Sequence, residues 1–98
     1  MIPLRVQFTK YALTPFILIF YVYIIYSIEH DRFYIGQSNN INKRLIRHNK
    51  GYVRSTKPYT PWKIVHFEEF HSRAQAVNRE KYLKSLKSKA AIRKLIDS

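Results

Sequence analysis

The segment from Tyr21 to Ser38, "YVYIIYSIEHDRFYIGQS", constrains the fold more than any other part of the chain. Its first half is apolar on both alternating sets of positions, with Tyr21, Tyr23 and Ile25 on one side and Val22, Ile24 and Tyr26 on the other. Successive side chains of a strand point to opposite faces. A strand apolar on both faces is therefore the middle of a sheet that is covered on both sides. The polar turn "EHD" and a second short apolar run, "RFYIG", follow at once. Two strands, over about 20–28 and 32–37, joined by a polar turn make a hairpin. Val and Ile alone would fill its core, so the four tyrosines of the segment need a further reason.

The rest of the chain supplies the covering layers. "SNN" at 38–40 offers N-cap side chains, which predicts a helix from there to Asn49 or Lys50, stopped by Gly51. "YVRSTKPYTP" at 52–61 is a basic loop broken by Pro58 and Pro61, and "WKIVHFEEF" at 62–70 is a third strand. Ser72, with Gln75 three residues on, forms a capping box for a helix over about 73–86. A last helix, about 89–96, turns Ile92, Leu95 and Ile96 inward. The order ββαβαα gives an α+β class, a small three-stranded, mostly antiparallel sheet flanked by helices. One domain spans 20–98, and residues 1–19 form an N-terminal appendage whose order the sequence does not fix.

Charge narrows the partners. There are 18 Lys and Arg against 6 Asp and Glu, for a net charge of +12. Residues 32–67 hold eight of the basic residues and no carboxylate; residues 70–96 hold eight more, with Glu80 the only acid. A surface this one-sided repels itself unless it meets a polyanion, and nucleic acid is the expected one. The absence of cysteine excludes disulfides, thiolate nucleophiles and zinc–thiolate sites, and is compatible with a cytoplasmic location. The uncharged stretch at 11–28 resembles a signal peptide or a short membrane span. Pro15 near its start, the lack of a small-x-small cleavage site and the crowd of β-branched and aromatic residues favour a strand instead.

Several polar residues fall on apolar faces. In the first helix Ile41 and Leu45 mark the buried stripe, with Arg44 and His48, four apart, along its edge. Both could simply snorkel. In the second helix Ala76, Val77 and Leu83 define the inward face, and Glu80 falls inside it. A carboxylate facing a core is costly unless paired or bound to a metal. A structural pair, for instance with Arg44, and a functional role weigh about equally. Tyr23 and Tyr34 can share one face of the hairpin, and Gly36 admits a close approach at the strand end. Two phenols, an Arg, a His and a Glu inside a basic rim suit phosphodiester hydrolysis without a thiol.

With those residues in view, the sequence resembles the GIY-YIG nuclease superfamily. V-Y-I at 22–24 stands for the first motif and Y-I-G at 34–36 for the second. "YIGQSNNINKRLIRHN" then carries the family's Asn at 40, Arg at 44 and His at 48. "ST" at 55–56, "PWKIVHFEEF" at 61–70 and "AVNREKYLKSLKS" at 76–88 are similar to small stand-alone bacterial members, akin to the N-terminal domain of UvrC. Val22 replaces the first motif's glycine, and Gln37 stands where UvrC-type domains carry a lysine. The resemblance implies a metal-dependent endonuclease with Tyr23, Tyr34, Arg44, His48 and Glu80 as catalytic residues. Glu80 is then the ligand of one divalent ion, Mg²⁺ or alternatively Mn²⁺, and Arg44 shares the charge developing on phosphorus. A phenol, Tyr34 slightly preferred over Tyr23, activates water, its pKa lowered by Arg44, the metal and the positive field. Lys43, Arg47, Arg54, Lys57, Lys84 and Lys87 are the expected nucleic-acid contacts, with DNA favoured over RNA by analogy. A non-catalytic nucleic-acid binder on the same scaffold and a membrane-associated basic protein are the competing readings. Substrate structure and oligomeric state stay open.

Overall fold

A computed structural model describes residues 18–98, so the appendage expected over 1–19 lies outside the described residues except for Leu18 and Ile19. The described residues form three strands, β1 (Phe20–Ser27), β2 (Arg32–Ser38) and β3 (Lys63–Phe70), and three helices, α1 (Ile41–Asn49), α2 (Arg73–Ser85) and α3 (Lys89–Asp97). The order ββαβαα is the one expected. The sheet is antiparallel throughout with strand order β2-β1-β3, so the doubly apolar strand is central. Val22, Tyr23, Ile24 and Ile25 are all buried. Residues 20–27 of the uncharged stretch are thus sheet, and among the described residues no helix is long and apolar enough to cross a membrane.

Alternation along β1 builds two different layers. Val22 and Ile24 point to one face, where they pack with Ala76 and Leu83 of α2 and Ile92 of α3. Tyr23 and Ile25 point to the other, where Trp62, Tyr34, Ile41, Leu45 and Ile64 join them. Pairing places Tyr23 opposite Gly36 and Ile25 opposite Tyr34, which sets both phenols on the α1 side. The register of β1 on β3 shifts between Ile24 and Ile25.

Local chemistry explains the helix starts. The Asn40 side chain accepts from the Lys43 amide at 3.0 Å, Ser72 from Gln75 at 3.2 Å and Ser88 from Ala91 at 3.2 Å. Past α1, Gly51 adopts φ +78°, the left-handed conformation that ends a helix at little cost when the residue is glycine. One expected boundary moves: β3 begins at Lys63, and Trp62 belongs to the preceding loop. There its amide donates to Asn49 Oδ1 at 2.7 Å, its carbonyl accepts from Asn49 Nδ2 at 3.0 Å, and its indole donates to the Thr56 carbonyl at 3.0 Å. The basic loop is therefore shaped rather than loose, with a 3₁₀ turn at Lys57–Tyr59.

Candidate active site

The site grows from the Tyr23–Gly36 pair. A Cβ on Gly36 would stand 2.5 Å from Tyr23 Oη and 2.7 Å from its Cζ, so the phenol lies across a position that only glycine leaves open. Tyr23 is 3% exposed, and its hydroxyl is 2.9 Å from His48 Nε2. His48 is fully buried rather than snorkelling along the edge of α1 as its helical position predicts. On its far side, Nδ1 is 2.7 Å from Thr56 Oγ1, and the Thr56 hydroxyl donates to the Val53 carbonyl at 3.3 Å. The Tyr34 ring packs edge-on against His48, with centroids 5.1 Å apart, and against Trp62 at 6.4 Å. Tyr23, His48 and Thr56 thus form one buried polar chain between the sheet and α1.

Burial sets the protonation states. It pushes the His48 pKa down, and the positive charges of Arg44 and Arg47 push it further, to about 4. His48 is neutral at pH 7. Burial also raises the Tyr23 phenol well above its ordinary value of 10.0; Tyr34 adds to the rise, Arg44 opposes it, and Glu80 adds a smaller contribution. This corrects the expected direction: for Tyr23, loss of water outweighs the neighbouring guanidinium, and the phenol keeps its proton.

Tyr34, Arg44 and Glu80 each contribute to the electrostatic environment of the Tyr23 phenol. Arg44 comes from α1, half-buried, while Glu80 comes from α2 on the opposite face of the sheet. Glu80 is not paired with Arg44. Its Oε1 accepts from Gln37 Nε2 at 2.9 Å and its Oε2 meets Lys84 Nζ at 3.0 Å, with the side chain 16% exposed. Gln37, read from sequence as the loss of a helpful lysine, instead orients the carboxylate. Among the described residues no group of three or more His, Cys, Asp or Glu could hold a metal, so Glu80, the ligand expected from the sequence, would bind an ion without a second such group of ligands beside it. A single oriented carboxylate beside open solvent fits Mg²⁺, which keeps most of its water; Lys84 would have to yield Oε2 to it.

Of the expected contact residues, Lys43, Arg47, Arg54 and Lys57 are exposed on α1 and the loop after it. Arg47 lies 5.8 Å from the Tyr52 ring. Lys84 and Lys87 are exposed around the end of α2, although Lys84 is engaged by Glu80. Lys84 and Lys87, with Arg32 and Lys89, also line an open cleft of about 410 Å³ that reaches Tyr34. The sequence expectation missed Thr56 and Trp62 as parts of the site. Their signal was the adjacency of "ST" and "PW" to the two ends of the basic loop, which carries meaning only once the loop is known to fold back on α1.

The sequence model of the GIY-YIG catalytic domain matches residues 19–94. The chain belongs to the GIY-YIG family. Among its relatives is a UPF0213 protein of Clostridium perfringens, 39% identical over 67 residues, covering 67% of this chain and 71% of the relative. UPF0213 proteins of Natronomonas pharaonis (36% identical; 67% of this chain, 78% of the relative) and Haloquadratum walsbyi (36%; 66% and 73%) are similar too. No solved structure gives a significant match. The GIY-YIG assignment therefore stands, with relatives named as UPF0213 proteins rather than UvrC domains. Membership supports a function connected with nucleic acids in general.

Proposed function

We propose that this GIY-YIG domain is a metal-dependent endonuclease that hydrolyses phosphodiester bonds of nucleic acid, DNA in the first instance. The observation that carries the reading is the Tyr23 hydroxyl. It rests on a neutral, buried His48 and lies within the influence of Arg44, Glu80 and Tyr34. A phenol alone is a poor base at neutral pH. A phenol that can hand its own proton to an imidazole as it accepts one from water is a better one.

In the proposed step, a water bound against Tyr23 Oη attacks phosphorus. Its proton passes to the phenol oxygen while the phenol's proton passes to His48 Nε2. The bond from phosphorus to the 3′-oxygen breaks, leaving a 5′-phosphate, and the 3′-oxygen takes a proton from solvent. Arg44 shares the negative charge gathering on the phosphoryl oxygens, for which its planar fork is well shaped. Engaging the phosphate also relieves His48 of part of the positive field that depresses its basicity, so substrate binding strengthens the acceptor. Tyr34, edge-on to His48 and without that acceptor behind it, walls the site and orients water. Glu80, held by Gln37, would carry Mg²⁺, which when bound would supply positive charge that stabilises the phosphoryl group. Lys43, Arg47, Arg54, Lys57 and Lys87 contact flanking phosphates.

The test is cleavage of a panel of linear, flap, junction and single-stranded oligonucleotides with Mg²⁺ and with EDTA. The parent nicks only with metal, and Arg44→Ala or Glu80→Ala lowers the rate on the order of a hundredfold or more while the protein stays folded. Parental cleavage by both variants would misplace the site. Salt-sensitive binding with no cleavage under any condition would make the protein a binder on a nuclease scaffold.

A further inference from the structure

We propose that Thr56 is a positioning residue that holds His48 in the tautomer protonated on Nδ1, so that the Tyr23–His48 hydrogen bond has one direction, from phenol to imidazole. The argument is a count of protons and acceptors. Three buried groups form the chain: the Tyr23 hydroxyl, the neutral His48 ring and the Thr56 hydroxyl, each with one hydrogen to donate. In one direction, Thr56 donates to the Val53 carbonyl at 3.3 Å. It then accepts from His48 Nδ1 at 2.7 Å, and the bare Nε2 accepts from Tyr23 at 2.9 Å. Every hydrogen has an acceptor.

In the other direction, Thr56 donates to Nδ1 and Nε2–H donates to Tyr23. The phenol's own hydrogen then has no acceptor among the described side chains and depends on water in the site, whereas the first direction pairs all three hydrogens within the protein. For a phenol only 3% exposed, the self-contained pairing is favoured. The loop is built to keep Thr56 in place. Its amide donates to Val53 O at 3.1 Å, and its carbonyl is held by the Trp62 indole at 3.0 Å. Trp62 is in turn clipped to Asn49, the residue after His48, by two hydrogen bonds.

The direction matters because it leaves the Tyr23 lone pairs facing the site and an empty Nε2 behind the phenol. The reverse tautomer would occupy one of those lone pairs, turn the phenol's hydrogen toward the site and leave Nε2 unable to accept a proton. The catalytic consequence rests on the endonuclease reading; the tautomer does not. The experiment is a long-range ¹H–¹⁵N correlation of ¹⁵N-histidine-labelled protein at pH 7, which reads the protonation of each ring nitrogen, followed by single-turnover cleavage. The expected wild-type result is a protonated Nδ1 and a bare Nε2 on His48. Thr56→Val, which removes the hydroxyl at nearly equal volume, should give the Nε2–H form or a mixture, and Thr56→Ser should restore the original signals. Cleavage by Thr56→Val should fall on the order of a hundredfold with KM little changed and the Ser variant near the parent. An Nε2-protonated His48 in the wild type overturns the proposal even if the Val variant does not fold. So does a Thr56→Val variant whose His48 keeps its Nδ1 proton. The predicted tautomers in a protein that cleaves nothing would uphold the role of Thr56 and remove the endonuclease reading alone.

Discussion

One residue's shift along β1 separates two kinds of interior. The α2–α3 side takes Val22 and Ile24 and is closed by Ala76, Leu83 and Ile92, with ion pairs confined to its rim. There Arg79 grips Glu68 through Nε at 2.7 Å and Nη2 at 2.9 Å, and Asp31 in the hairpin turn is held by Tyr26, Lys89 and Arg93. The α1 side takes Tyr23 and Ile25 and buries His48 and Thr56 beside them. Apolar burial stabilises the first side without directional demands. The second must find partners for the polar groups it encloses. Tyr23, His48 and Thr56 do so as one chain, while the buried Ser27 hydroxyl on the same set of β1 positions has no partner among the described residues. On the proposed reading, stability belongs mainly to one face and chemistry to the other, and the Gln37–Glu80 pair sits on the α2 side of the edge strand β2.

Substitutions can break that division. Ile24→Ala, on the stabilising side, should cost about 2–5 kcal/mol in denaturant unfolding while leaving the rate per folded molecule unchanged. A slightly smaller stability loss, about 1–3 kcal/mol, is expected for Gly36→Ala, since its methyl collides with the Tyr23 phenol. That variant should also lose cleavage, which Ile24→Ala should not. If both variants behave alike in the two assays, the faces are not functionally distinct.

Acid should act chiefly through the polar side. His48 has a pKa of about 4 when folded against an ordinary 6.5, so between those values the unfolded chain binds a proton that the folded one refuses. Its contribution is complete above pH 6.5 and declines as pH falls toward 4. Unfolding at pH 7 and pH 5 should differ by about 2 kcal/mol more in the parent than in His48→Gln. An equal drop in both would show that His48 is not held neutral. The smallest effect belongs to the rim: Arg79→Met should cost about 1 kcal/mol, with no change in cleavage, because Glu68 remains partly solvated.

How much the sequence revealed follows the same division. Strand β1 was legible because apolar residues on both alternating sets admit only a central position, the first two helix starts because Asn40 and Ser72 are capping residues, and the last helix from its apolar spacing, its Ser88 cap becoming visible in the structure. Motif spacing pointed to Tyr23, Tyr34, Arg44 and Glu80 as one site; the two phenols meet around His48 on one face of the sheet, and Glu80 rises from α2 on the other. Burial of His48 was not, because helical periodicity places it at an edge and only the folded-back loop covers it. The partners of Glu80 were hidden for a similar reason: Gln37 lies 43 residues away and reaches it only through sheet pairing. Thr56 sits in a segment whose prolines and basic residues look like a plain loop, Trp62 reads as the start of the third strand, and the roles of both come from contacts with α1.

The central claim is that Tyr23, backed by His48, takes the proton from the attacking water. Tyr23→Phe removes one oxygen and keeps the ring over Gly36, so single-turnover cleavage by this variant, with oligonucleotide binding measured alongside, is the most direct test. The account predicts unchanged binding and Mg²⁺-dependent cleavage slowed on the order of a hundredfold. Cleavage at the parental rate by the folded variant would contradict it.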